Sequence, residues 1–185
     1  MADKLGLINT ALVLIGDMPL VSLTSGTRSQ VVATQLYNNI VQDELSKFRW
    51  GFARKQAQLA LTTGVPIGTE WQSIYQLPSD LLVLIKIDPK INYQILGDKL
   101  YCNYSGNLYC DYICSPAEST WPVYFSRMAE YALAMDFAPA IRDSAASMEI
   151  LSRQYLNASR MARYTDSQQH PQTPIQDQPF INVRF

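Results

Sequence analysis

The sequence predicts an α+β fold: a helical bundle drawn from both chain ends, an inserted antiparallel β-rich lobe, and an extended C-terminal arm. Three observations predict it. Apolar residues recur at three- and four-residue spacing over residues 3–15 and 27–47, the period of a helix buried along one face. That rhythm gives way to glycine, proline and turn pairs over residues 52–116 and returns over 117–164. From Thr165 onward the chain is Gln- and Pro-rich, and Pro171, Pro174 and Pro179 oppose both helix and ladder. Residues 1–51 and 117–164 are therefore assigned to the bundle, 52–116 to the lobe and 165–185 to the arm. Helices from the two chain ends must bury their apolar faces together, which makes the lobe an insertion between them.

The first helix follows Asp3, an N-cap residue type. Leu5, Ile8, Leu12 and Ile15 share a face that Leu7, Ala11 and Leu14 widen, so burial on two sides is expected. Gly16 stands where a left-handed C-cap belongs, and Pro19 prevents continuation. Thr27 starts the second helix with Gln30 three residues on, the capping-box spacing. Ala33, Leu36, Tyr37, Ile40, Glu44 and Phe48 carry its period to about Lys47, and Lys47 and Arg49 suit the negative end of the helix dipole.

In the lobe, "QAQLALTT" alternates as a strand does, and "SIYQLPSDLLVLIKIDPK" holds two short strands parted by residues 77–80. "INYQILGDKLYCNYSGNLYCDYIC" reads as a three-stranded meander turning at Gly97-Asp98 and around residues 105–107. Tyr93, Tyr101, Tyr104, Tyr109 and Tyr112 suit a pleated, half-exposed surface. Beyond Pro116, Pro122 is tolerated in a first helical turn and Pro139 ends or kinks that helix. Met148, Leu151, Tyr155, Ala158 and Met161 mark the last helix.

Length and composition bound the function. A domain near 185 residues buries roughly 70% of its unfolded surface and needs no staples. Charged residues are 17% of the chain, a low share that leaves surface for contact, and a net charge of −1 supplies no global field for nucleic acid. No run approaches the roughly 20 apolar residues of a membrane span. The N-terminal apolar run follows Asp3 and lacks a basic leader or cleavage site, so no signal peptide is expected. Cys102, Cys110 and Cys114, odd in number, suggest free thiols packed in a protein of a reducing compartment. The one histidine, His170, falls in the arm, so a histidine-rich metal site cannot be built and a nucleophile–histidine pair would need that arm. Phosphate-loop, dinucleotide, zincin and nucleophile-elbow motifs are missing from the sequence. No catalytic residue, cofactor or metal ligand is assigned. Asp136 and Asp143 flank the junction of the last two helices as helix-end polar residues.

Two groups of cations are candidates for contact with DNA or with another subunit. Lys47, Arg49, Arg54 and Lys55 interleave with Phe48, Trp50 and Phe52. Read one way, the chain is a nucleic-acid-binding module using residues 47–55; read the other, these are helix-end charges with aromatics closing the core. Arg153 and Arg160, seven residues apart, share a face of the last helix with Arg163 nearby, and suit solvent, another subunit or phosphates.

Several stretches in their order resemble a known family. "LINTALVLIGDMPLVSL" and "ATQLYNNIVQDELSKFRWGFARKQAQL", then "EWQSIYQLPSD", "INYQILGDKLYCN" and "WPVYFSRMAEYALAMDFAPAI", are similar to the tail tubular protein A family, the head-to-tail adaptors of short-tailed, podovirus-type bacteriophages. The likeness spans nearly the whole chain, and its specific part is the order of the motifs. It implies a virion structural protein, assembled in the host cytoplasm, that forms a homo-oligomeric ring, usually dodecameric. The ring sits between the portal protein and the tail nozzle protein, and genomic DNA passes through its bore at ejection. The resemblance implies no catalysis, no cofactor and no membrane. It also gives the arm a role: Phe180, Ile181, Val183, Arg184 and Phe185 are expected to dock on a neighbouring subunit or on the portal, ordering as they bind.

Overall fold

The computed structural model describes residues 3–24, 26–64, 70–142 and 145–169. Asp143, His170 and the docking residues Phe180, Ile181, Val183, Arg184 and Phe185 lie outside the described residues. The fold is mixed α+β, with four helices and a six-stranded antiparallel sheet among the described residues.

Helix α1 spans Lys4–Leu14, and the Asp3 carboxylate accepts from the Gly6 N–H at 3.2 Å, so the expected cap forms. Leu7, Ile8, Ala11 and Leu12 are buried, and Gly16 adopts φ +75°, the left-handed turn that ends the helix. Asn9 then acts as a clamp on the connector: its side-chain amide donates to the Leu20 carbonyl (3.0 Å) and accepts from the Leu20 N–H (2.7 Å). Helix α2 is Arg28–Ser46. The Thr27 hydroxyl accepts from the Gln30 N–H, and the Gln30 side chain reaches back to the Gly26 N–H, one residue beyond the usual partner of a capping box.

Helix α3, Val123–Arg142, starts on the Pro122 carbonyl, which accepts from Phe125 and Ser126. It runs through Pro139 and ends at Arg142. Helix α4 is Ala145–Gln168. This corrects the arm boundary: residues 165–168 are helical. The run Thr165-Asp166-Ser167-Gln168 carries no apolar period, but Asp166 is buried by tertiary bonds described below. Helix α3 packs against α1, α2 and α4, and Phe125 and Phe137 fill the space between them. A ring of aromatics closes this core beside the sheet: Trp50 meets Phe125 at 5.1 Å and Phe48 at 4.9 Å, and Trp121 meets Phe125 at 5.0 Å.

The strands are β1 (Arg54–Thr62), β2 (Ser73–Gln76), β3 (Leu81–Asp88), β4 (Tyr93–Leu96), β5 (Lys99–Cys102) and β6 (Leu108–Cys114), in the order β3-β6-β1-β2-β5-β4. Strand β1 pairs with β6 through residues 54–59 and with β2 through residues 60–62, so one long strand carries two half-sheets. The expected meander is therefore corrected. The β4–β5 hairpin forms at Gly97-Asp98, with Gly97 at φ +64°, but β5 continues to β2 while β6 crosses to lie between β1 and β3. The physical reason lies in β6, which is buried at Leu108, Cys110, Asp111, Tyr112 and Ile113. A strand covered on both faces belongs in the middle of a sheet, not at the end of a meander.

Alternation along β6 joins the two halves of the molecule. Ile113 enters the bundle core, whereas Leu108, Cys110 and Tyr112 join Leu59, Tyr75, Ile87, Leu100 and Cys102 in a second core within the lobe. The three thiols are free; Cys102 and Cys110 are buried packing groups. Tyr112 is buried too, against the expectation of a half-exposed surface, while Tyr93 and Tyr109 remain outside.

Candidate interaction surfaces

The basic-aromatic run does not stay together in space. Its aromatics close the bundle core, and its cations separate. Lys47 is held at the end of α2 by Asp43 (2.6 Å) and Glu44 (2.7 Å). Burial opposes its charge, but the hydrogen bonds it donates to these two carboxylates prevail and raise its pKa. Arg54 and Lys55 are adjacent on β1 and so project to opposite faces. Arg54 bonds to Asp111 on β6, while Lys55 bonds to Asp80 at 2.8 Å. The Lys55 hydrogen bond holds the Asp80 carboxyl below its ordinary range. Asp80 also accepts from Tyr112, whose hydroxyl, buried and beside that carboxylate, is pushed up to about 12.

Arg49 and Arg54 converge with Lys86 around an open depression floored by Ile85, where the end of the bundle meets the sheet. Arg49 has no ion-pair partner among the described residues, and Lys86 is only loosely held by Asp88 at 3.9 Å. A hollow on the other side of Lys86 is lined by Gln56, Asp88, Tyr109 and Asp111. Asp111 is buried; that burial pushes its pKa up, but the hydrogen bond and charge of Arg54, the Gln56 side chain and the Lys86 charge together outweigh it, and the carboxyl stays below its ordinary value. One of its oxygens, Oδ1, has no hydrogen-bond partner among the described residues. Sequence reading missed Lys86 and Asp111. They reach Arg54 only through strand pairing, and no local spacing signals that.

Helix α4 presents the other face with a sequence forecast. Leu151, Ala162 and Asp166 point inward. Ile150, Met161 and Tyr164 lie on the opposite side and are 61%, 63% and 62% exposed. Arg153 and Arg160 share that side: Arg153 bonds to Glu149 one turn earlier, and Arg160 is exposed without an ion-pair partner among the described residues. Arg163 instead lies over the Phe48 ring at 5.7 Å. This outer face therefore carries exposed apolar side chains interspersed with cations. A further apolar patch lies in the α1–α2 connector, where the Asn9 clamp buries Leu20 and leaves Met18 and Val21 outside.

Two polar clusters tie the helices together. The Glu44 carboxylate accepts from the Tyr155 hydroxyl at 2.9 and 2.8 Å as well as from Lys47. Asp136, in the middle of α3 rather than at a helix end, is half-buried near this group. Burial raises its pKa; Lys47 pulls it down, and Glu44 and Asp43 add to the rise. The second cluster is Asp166, which accepts from the Gly51 N–H and, at 2.8 Å, from the Tyr124 hydroxyl.

No helix among the described residues is long and apolar enough to cross a membrane. A scan against protein-family models finds no match, and a search of the curated proteins finds none either.

Proposed function

We propose that this chain is a structural adaptor of a short-tailed phage virion, forming a homo-oligomeric ring that joins the portal to the tail nozzle and lets the genome pass. The order of motifs along nearly the whole chain supports this reading, as does a helical body carrying a β-rich lobe. The observation that carries it is the outer face of α4, where Ile150, Met161 and Tyr164 stand exposed beside Arg153 and Arg160. Exposed large apolar side chains interspersed with arginines suit contact with another protein better than contact with water. The test is electron microscopy of the purified chain mixed with the portal protein. Rings seated on the portal are expected, and the combined substitution Ile150→Asp, Met161→Asp and Tyr164→Asp should leave a folded chain whose ring formation drops at least tenfold. A portal that stays bare in the presence of the unmodified chain rejects the reading.

The depression shared by Arg49, Arg54 and Lys86 favours a second reading, a nucleic-acid-binding module. Retention of short duplex DNA that weakens steeply with salt, and weakens further in Arg49→Ala/Lys86→Ala, is expected under it. No retention at moderate salt removes it.

A further inference from the structure

Among the described residues the sheet ends at β3 and β4, and its two edges are finished differently. Strand β3 shifts register between Leu81 and Val83 and again between Leu84 and Lys86, and it carries Lys86 and Asp88. Irregular register and charge are the features that keep an edge from pairing with another strand. Strand β4, Tyr93-Gln94-Ile95-Leu96, has neither: it is uncharged, runs in even register with β5, and is exposed at all four residues.

The core face of the lobe also stops there. In an antiparallel ladder, directly opposed residues share a face. Tyr93 opposes Cys102 and Ile95 opposes Leu100, and both partners are fully buried in the lobe core. The apolar face therefore continues onto Tyr93 and Ile95, which are left 40% and 41% exposed. Leu96 and Lys99 flank the two-residue Gly97-Asp98 turn, so Leu96 and Gln94 form the hydrogen-bonded pairs with β5. The peptide groups of Tyr93 and Ile95 consequently point outward, open to another strand.

The chain contains a segment with the complementary pattern. Ile181, Val183 and Phe185 alternate with Asn182 and Arg184, the period of a strand with one apolar face, and two of the three apolar residues are β-branched. We propose that residues 180–185 of one copy pair with the β4 edge of a neighbouring copy as a seventh strand. Ile181, Val183 and Phe185 then extend the face of Tyr93 and Ile95, while Arg184 lies on the solvent side. Reach favours a neighbour over the same copy. The bonds of Asp166 to Gly51 hold the end of α4 beside the start of β1. From there to β4 is roughly 25–35 Å, given about 3.3 Å per residue along β1 and about 4.8 Å for each of the strand steps beyond it. The ten residues 170–179 span at most about 35 Å, so docking within one copy would stretch the connector to about seven-tenths of its reach or more. The proposal rests on the adaptor reading only in requiring a neighbouring copy.

Amide hydrogen exchange of the full-length chain tests it. At concentrations that support self-association, the Tyr93 and Ile95 amides are expected to exchange at least tenfold more slowly than in dilute solution. Gln94 and Leu96, already bonded to β5, should change little. The full-length double variant Ile181→Asp/Val183→Asp should lose the added protection, and a free peptide of residues 179–185 should restore it. Outward amides that exchange equally fast at every concentration overturn the proposal, and so does protection independent of concentration, which would place the strand within one copy. Portal attachment separates this from the adaptor reading. Attachment without edge protection sinks the strand proposal alone, and edge protection without attachment sinks the adaptor reading alone.

Discussion

Asp166→Ala is expected to destabilise the fold by about 3–5 kcal/mol, the cost of removing one partner from a buried, charge-assisted hydrogen-bond set. Asp166 is 1% exposed, near the C-terminal end of α4. Its carboxylate accepts from the Gly51 N–H at 3.2 and 3.0 Å and from Tyr124 at 2.8 Å. It thereby pins three elements at one point: the last turn of α4, the first turn of α3, and the short 3-10 turn Gly51–Ala53 that feeds β1. Alanine leaves the Gly51 amide and the Tyr124 hydroxyl without an acceptor where water has little access. Beside the carboxylate, the Tyr124 hydroxyl is raised above its ordinary pKa, first by burial and then by this hydrogen bond, so it remains a donor at neutral pH. Asp166→Asn keeps one acceptor oxygen and should cost about 1–2 kcal/mol. Urea unfolding of the two variants checks the ranking; equal stability of Asp166→Ala and the unmodified chain would show that the bond is not needed. A chain cut before Asp166 loses the same anchor, so the docking segment is properly removed after Gln169.

Glu44→Ala is expected to cost about 1–3 kcal/mol, because it leaves the Tyr155 hydroxyl without its acceptor at the α2–α4 contact, while Lys47 keeps its bond to Asp43. Glu44 is 3% exposed, on the apolar face of α2. Its neighbour Asp136 gives this cluster a pH dependence. The folded-state pKa of Asp136 is raised, chiefly by burial, above the roughly 3.9 of an unfolded chain. A carboxyl shifted in that direction favours the fold most fully below the unfolded pKa, and its contribution is lost as pH rises through the folded value. Asp136→Asn should therefore stabilise the protein at pH 7, by up to about 1 kcal/mol, and the gain should disappear below about pH 4. Chemical denaturation at pH 4 and pH 7 reads the difference. A gain of equal size at both would assign the effect to packing rather than to charge.

Helix positions were legible where their signals are local. Asp3 caps α1 through Gly6, and Thr27 caps α2 through Gln30, each three residues away along the chain. Such a bond is encoded within one helical turn, so spacing alone reveals it. Glu44 was read only as part of the helical period of α2, although a carboxylate standing in that period needs a buried partner. The identity of that partner, Tyr155, lies 111 residues away and left no trace in the local pattern. Asp166 was harder still. Its surroundings are polar and aperiodic, so residues 165–168 read as the start of an arm although a tertiary bond makes them the end of a helix.

The lobe divides in the same way. Alternation and the Gly97-Asp98 turn marked strands and one hairpin, but not the crossing of β6 into the centre of the sheet. The candidate cationic site shows the same limit. Lys47, Arg49, Arg54 and Lys55 were neighbours in sequence, yet the fold separates Lys47 and Lys55 and brings in Lys86 from β3.

By itself, then, the sequence determined the α+β class and the helix caps and turns, because each depends on backbone preference and side-chain period over a few residues. Only the tertiary structure decided which strands became neighbours, which edge was left open, and which carboxylates became anchors. Those outcomes depend on distances between residues far apart in the chain, and periodicity carries no information about which of several matching faces will meet.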